Sequence, residues 1–273
     1  MEKEKERAVY NIFIEGIQGT GKSTLLQAIA EKRPDMHVCR EGDYSPVELA
    51  WCSWMTEEEY RAAGERYPSL KKELEANAFR EGDRRIVTYT RILTEIPGFH
   101  KDLERFEIYN GRKSVEELEE IVRMRYRRFS ETGYLFECAF LQNIVEDLIL
   151  YHRLSEDEIV AFYRRLYGQV QKENFRLLYL YGDKLEESTE IIRKERCDSG
   201  GREMWYPLML KYLTESPYGR ERGCSGFEDL VMHFRHRQQV ELRILREVVG
   251  EQAVILPSKG WKKEELTGLL SGR

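Results

Sequence analysis

The stretch Val9-Tyr-Asn-Ile-Phe-Ile-Glu15-Gly16-Ile-Gln-Gly-Thr-Gly-Lys22-Ser23-Thr-Leu-Leu-Gln-Ala-Ile-Ala-Glu-Lys32 decides how this chain is read. Its first seven residues, VYNIFIE, are β-branched and aromatic, the composition of a short buried strand. Its last eleven place Leu25, Leu26, Ile29 and Ala30 at helical spacing, and Pro34 closes that helix. Between strand and helix lies Gly16-Ile-Gln-Gly-Thr-Gly-Lys22-Ser23, which fits the pattern G-x-x-x-x-G-K-[S/T]. Glycines reach backbone angles closed to other residues, so successive amides turn inward and cradle anionic oxygens. The helix that follows adds its N-terminal amides and dipole. Lys22 is placed to meet the β- and γ-phosphates, and Ser23 to offer its hydroxyl to Mg2+. The expected nucleotide-binding set is Gly16, Gln18, Gly19, Thr20, Gly21, Lys22, Ser23 and Thr24, a P-loop for ATP with Mg2+. The competing reading is a glycine-rich turn that binds nothing.

Working outward, further short apolar runs read as strands: Met36 to Arg40, Tyr134 to Glu137 (YLFE), Phe175 to Tyr181 (FRLLYLY) and Ala253 to Leu256 (AVIL). Helices are expected over roughly 115–131, 140–152, 156–172, 184–196, 204–213, 227–249 and 262–270. Four Ser/Thr-x-x-Glu sequences mark helix starts: Thr56 with Glu59, Ser114 with Glu117, Ser155 with Glu158, and Ser225 with Glu228. Strands alternating with helices predict an α/β fold, a five-stranded parallel sheet flanked by helices. The stretch 51–130 is too long for a plain crossover and reads as a helical insertion within a single domain spanning 1–273.

The whole composition sets limits. The 273 residues carry a formal net charge of −5, which argues against a nucleic-acid polymer as partner. The five cysteines (Cys39, Cys52, Cys138, Cys197, Cys224) form no C-x-x-C pair, so neither a zinc site nor a disulfide framework is indicated. The charged N-terminus lacks the apolar segment of a signal peptide, and no run of 18 apolar residues exists. A cytoplasmic protein without a membrane partner is the expectation, with a homodimer left open.

In an open parallel sheet, ligands gather at the carboxyl ends of the strands. Glu137 ends one strand and is the expected Mg2+ ligand beside Ser23; the alternative is a strand-end carboxylate facing solvent. Glu41 and Asp43 end another. One of them is expected to take a proton from an attacking hydroxyl, Glu41 first and Asp43 as the alternative. Arg193 and Arg196 in IIRKER share a helix face and suit a clamp on transferring phosphate. The Cys197-Asp-Ser-Gly-Gly-Arg202 stretch after them reads as a flexible lid. Arg220 and Arg222 are a weaker pair, and Arg123, Arg125, Arg127 and Arg128 read as solvated. Trp51, Trp54, Tyr60 and Tyr67 suit either a core or stacking on a planar acceptor.

Taken together, NIFIEGIQGTGKSTL, REGDYSP, LFECAF, IIRKER and AVILP resemble the thymidylate kinase and deoxynucleoside kinase superfamily. The resemblance implies ATP on the P-loop, an acceptor in a cleft lined by strand ends, and lid arginines closing on phosphate. It also implies that Glu41 is the base and that the loop Ser258-Lys-Gly260-Trp261 lies near adenine. Where those kinases carry Glu-Arg-Ser or Asp-Arg-Tyr, this chain has Glu137-Cys138-Ala139, with Gln142 and Asn143 as substitute polar groups. The expected activity is an ATP- and Mg2+-dependent phosphotransferase, a kinase acting on a small-molecule phosphate acceptor, a nucleoside or nucleotide first. Alternatives are an antibiotic phosphotransferase, an NTPase or nucleotide sensor without transfer, and a kinase fold that only binds.

Overall fold

A computed structural model describes residues 10–258, 260 and 261. Val9, Lys259 and the helix expected over 262–270 lie outside the described residues. In chain order, β1 (Asn11–Gly16) leads into α1 (Lys22–Lys32) and β2 (His37–Cys39). Three short strands follow, β3 (Ser53–Thr56), β4 (Ala78–Glu81) and β5 (Arg84–Val87), with α2 (Glu57–Arg66) and α3 (Lys71–Ala76) between the first two. Then come α4 (Phe99–Glu104), α5 (Val115–Arg128), β6 (Tyr134–Glu137), α6 (Gln142–Leu150) and α7 (Glu156–Tyr167). The order closes with β7 (Phe175–Tyr181), α8 (Leu185–Glu195), α9 (Trp205–Glu215), α10 (Pro217–Arg222), α11 (Phe227–Ile244) and β8 (Ala253–Pro257). Among the described residues no helix is long and apolar enough to cross a membrane.

The chain forms two compact units. One is built from the chain up to Val38 and from Ser130 onward, the other from Cys39–Phe129. The first holds the five-stranded parallel sheet, in the order β2-β6-β1-β7-β8. After β1 the chain builds outward on one side and then crosses to the other. That reversal sits at the carboxyl end of β1, where open parallel sheets bind ligands.

The alternation along β1 explains its burial. Ile12 and Ile14 face α1 and pack with Leu25, Leu26, Ile29, Leu135, Leu178 and Leu180. Phe13 faces the other way, stacked between Phe136 (4.7 Å between centroids) and Phe175 (4.5 Å). Each such side chain contributes about 1.5–3 kcal/mol by leaving water. Glu15 shares Phe13's face by the same period of two, so a carboxylate is carried into the interior.

The second unit corrects the expectation for 51–130. It is not helical alone: β3, β5 and β4 form a three-stranded antiparallel sheet, with Trp54 opposite Ile86 and Ile86 opposite Phe79. Four-residue strands as charged as AFRE and RRIV give no period-two signal, and only pairing across the Gly82-Asp83 turn makes them strands. Its core gathers Met55, Tyr67, Leu74, Val87, Tyr89 and Phe99. Arg125, expected to be solvated, is buried and bonds Glu81 and the Ser45 carbonyl. Helical spacing carried the signal: Arg125 falls three residues after Val122 and seven after Leu118, on the face that is buried.

The capping boxes at Thr56, Ser114 and Ser155 form as expected. The fourth does not. Asp229, one residue beyond Glu228, accepts from the amides of Ser225 (2.7 Å) and Gly226 (3.0 Å), and α11 starts at Phe227. Beyond Ile244 that helix loosens into a π-helical turn, Leu245–Val249.

Candidate functional site

The Gly16–Ser23 segment joins β1 to α1 at the reversal point of the sheet. Gly16 has φ +140°, and a Cβ there would lie 2.6 Å from the Leu180 carbonyl oxygen of β7. Gly19 has φ +82° and lies against Ser188 of α8, whose carbonyl oxygen would be 3.2 Å from an added Cβ. The loop closes on itself. The Thr20 hydroxyl donates to the Ile17 carbonyl at 2.7 Å, and the buried Lys22 Nζ donates to the carbonyls of Gly16 (2.8 Å) and Ile17 (3.0 Å). Gly21 precedes α1 in the left-handed region with no side-chain cap, and the first turn carries no acidic residue. The opening amides of α1 and its dipole are left for an anion.

Ser23 and Thr24 are exposed on that first turn. The Ser23 hydroxyl donates to Glu137 Oε1 at 2.5 Å. Glu137 ends β6, paired in register with Ile14, and is mostly buried, so the solvent-facing alternative does not hold. Immediately after it Cys138 takes φ +59°, an uncommon conformation for a side chain with a Cβ. That twist turns the chain so that the amides of Phe140 (2.6 Å) and Gln142 (3.2 Å) donate to the Glu15 carboxylate. Of Gln142 and Asn143, named as substitute polar groups, Asn143 donates its side-chain amide to the Cys138 carbonyl at 3.1 Å, and Gln142 is buried.

Two hard oxygen donors in contact, a hydroxyl and a carboxylate, suit Mg2+, which takes one or two protein oxygens and completes its shell with phosphates and water. Among the described residues no group of three or more His, Cys, Asp or Glu side chains is placed to cage a metal. The Ser258 carbonyl oxygen would lie 3.6 Å from a Cβ on Gly21, and Trp261 packs against the α1 side of the core. The segment after β8 therefore borders the loop.

The two arginines offered to phosphate differ in their surroundings. Arg193 Nε donates to Glu203 at 2.6 Å, and its guanidinium lies 4.3 Å from the Tyr206 ring centre. Arg196 is exposed beyond the end of α8. In the stretch read as a flexible lid, Cys197 and Glu203 form an antiparallel bridge, and Asp198 Oδ1 accepts from the amides of Gly200 and Arg202, each at 2.9 Å. Arg222 lies over Tyr218 at 4.2 Å.

Glu41 and Asp43 belong to the second unit. There Glu41 accepts from Trp51 Nε1 at 3.0 Å, while Asp43 pairs with Arg91 and accepts from the Arg40 amide. Of the aromatics named for that unit, Trp54 and Tyr67 are core, while Trp51 is half exposed with φ +61°.

The sequence reading missed a buried charge network behind the loop. Arg237 of α11 is fully buried. Its Nη1 donates to Glu146 of α6 at 2.5 Å and its Nη2 to Gln18 Oε1 at 2.6 Å. Its Nε lies 3.1 Å from Glu241, whose other oxygen accepts from the Tyr179 hydroxyl at 2.6 Å. His233 Nε2 lies 3.1 Å from Glu146. Burial pushes Glu146 up, but Arg237 and His233 outweigh it and hold the carboxyl down at about 2. Burial also raises Glu241, and the Arg237 charge offsets this only in part. Glu15 is pushed up to about 8, first by burial and further by Glu241, against the opposing Phe140 amide. A charged residue inside an apolar run, Glu15 in NIFIE or Glu146 in NIVEDLIL, was the available signal.

The sequence matches no protein-family model, and a search of curated proteins gives no match.

Proposed function

We propose that this chain is a P-loop kinase, binding ATP with Mg2+ on Gly16–Ser23 and passing the γ-phosphoryl group to a small acceptor. One observation carries the reading. A tight loop with glycines in left-handed conformations delivers Lys22 and an uncapped helix start to one place, with Ser23 against a strand-end carboxylate. Inward amides and the Lys22 ammonium neutralise a polyphosphate as charge moves between its oxygens. Lys22 exchanges its two carbonyl partners for phosphate oxygens, which are stronger acceptors because they are charged. Ser23 and Glu137 would hold Mg2+, which supplies Lewis-acid neutralisation of phosphate charge when bound.

A nucleoside or nucleotide acceptor follows from the resemblance in REGDYSP, LFECAF and IIRKER. For a hydroxyl acceptor the base assigned is Glu41, with Asp43 as the alternative. A monophosphate acceptor is already ionised and requires no base. The deciding experiment incubates the protein with γ-labelled ATP and Mg2+ across nucleosides, nucleoside monophosphates and hydroxylated antibiotics. A labelled product formed in step with ADP supports the kinase. ADP and free phosphate without a labelled acceptor make the chain an NTPase, and absence of saturable nucleotide binding removes the site altogether.

A further inference from the structure

We infer that Arg237 is a positioning residue for the phosphate loop, acting through Gln18; the inference rests on the nucleotide-binding reading above. Three features single it out. A guanidinium with no exposed surface reaches from α11 to a side chain inside the Gly16–Ser23 loop. It is not free to reorient, because Glu146 holds Nη1 at 2.5 Å and Glu241 lies 3.1 Å from Nε. Both carboxylates are fixed in turn, Glu146 by His233 and Glu241 by the Tyr179 hydroxyl on β7. The donor presented to Gln18 is thus anchored to two helices and the central sheet.

The chemistry of the contact gives it direction. Arg has only donors to offer, so it selects the carbonyl oxygen of the Gln18 amide. With Oε1 held at 2.6 Å by a cation, the part of the Gln18 side chain left over is its NH2 group. For a loop that receives a polyanion this sign matters. The opposite flip would add a carbonyl dipole whose negative end repels phosphate. Arg237 therefore does two things from behind the loop: it fixes the Ile17–Gly19 backbone, and it makes the Gln18 side chain a donor rather than an acceptor. It touches no ligand itself.

The test uses the full chain, with MgATP affinity by calorimetry and amide hydrogen exchange of the peptide covering 16–21 in the nucleotide-free protein. Gln18→Glu keeps an acceptor for Arg237 but deletes the NH2 group. It is expected to keep the melting temperature and weaken MgATP about tenfold or more, the worth of one charge-assisted hydrogen bond. Arg237→Lys keeps the charge but not the fork. It is expected to speed exchange in 16–21 and to weaken MgATP by a similar factor. In a Gln18→Ala background, Arg237→Lys should add little further loss.

Wild-type affinity in Gln18→Glu would overturn the donor assignment. Equal losses from Arg237→Lys in the wild-type and Gln18→Ala backgrounds would reduce Arg237 to a packing residue and overturn the inference. Should Arg237→Lys fail to fold, the Gln18 variants still decide. A wild-type chain that binds no nucleotide sinks the parent reading instead, and the exchange comparison then judges the loop-fixing role alone.

Discussion

Replacing Glu15 by glutamine tests the buried charge arrangement without reference to any ligand. Glu15 is fully buried, and its carboxyl is raised from 4.5 to about 8, mainly by loss of solvation. The folded-state value lies above the unfolded one. Below pH 4.5 both states hold the proton and the group's contribution to stability is complete. Between 4.5 and about 8 the unfolded chain ionises while the folded one does not, so stability falls with rising pH. Above that window the loss levels off. At about 1.4 kcal/mol per pH unit the total is on the order of 5 kcal/mol. The amide introduced by Glu15→Gln does not titrate. It keeps a carbonyl for the Phe140 amide at 2.6 Å but offers no second acceptor to the Gln142 amide at 3.2 Å, a cost of about 1 kcal/mol. The two stability curves should therefore cross at about pH 5 to 6, with the variant the more stable by about 4 kcal/mol at pH 9. Urea unfolding followed by tryptophan fluorescence at steps between about pH 5 and 9 measures this. Parallel curves would show that Glu15 ionises normally in the folded protein and would refute the argument.

Lys22→Ala is expected to weaken MgATP binding about tenfold or more and to end turnover, because one charged donor to phosphate is lost; unchanged affinity by calorimetry counts against the site. Glu137→Ala should abolish Mg2+-dependent turnover while circular dichroism stays native, and wild-type rates would remove Glu137 from the mechanism. Gly16→Ala places a Cβ 2.6 Å from the Leu180 carbonyl oxygen at φ +140° and should cost about 1–3 kcal/mol in a thermal melt, together with nucleotide binding. A melting temperature equal to wild type would mean that the β1–β7 contact yields freely.

The parallel sheet was legible because its strands are strongly apolar and its helices amphipathic. NIFIE, YLFE, FRLLYLY and AVIL each appear in the sheet within a residue or two of their expected ends. The glycine loop was legible for a different reason: its conformation depends on residues adjacent in sequence, with Gly16 and Gly19 at backbone angles that other residues resist. The second unit was less so. AFRE and RRIV show no apolar alternation, and the two-residue Gly82-Asp83 turn between them is the local sign of their hairpin, while their pairing with SWMT has none.

By itself, then, the chain's order of residues determined the α/β alternation, the glycine turn ahead of Lys22 and three of the four helix caps, all of which rest on neighbours a few positions apart. Tertiary structure alone decided which partners the buried charges meet. Arg237 meets Gln18 across 219 positions, and Glu15 takes the Phe140 amide across 125. Arg193, which spacing offered to phosphate, pairs with Glu203 across a turn ten residues long. The physical reason is that a charged side chain's worth depends on solvation and on partners brought by the fold, and neither is a property of its own stretch of sequence.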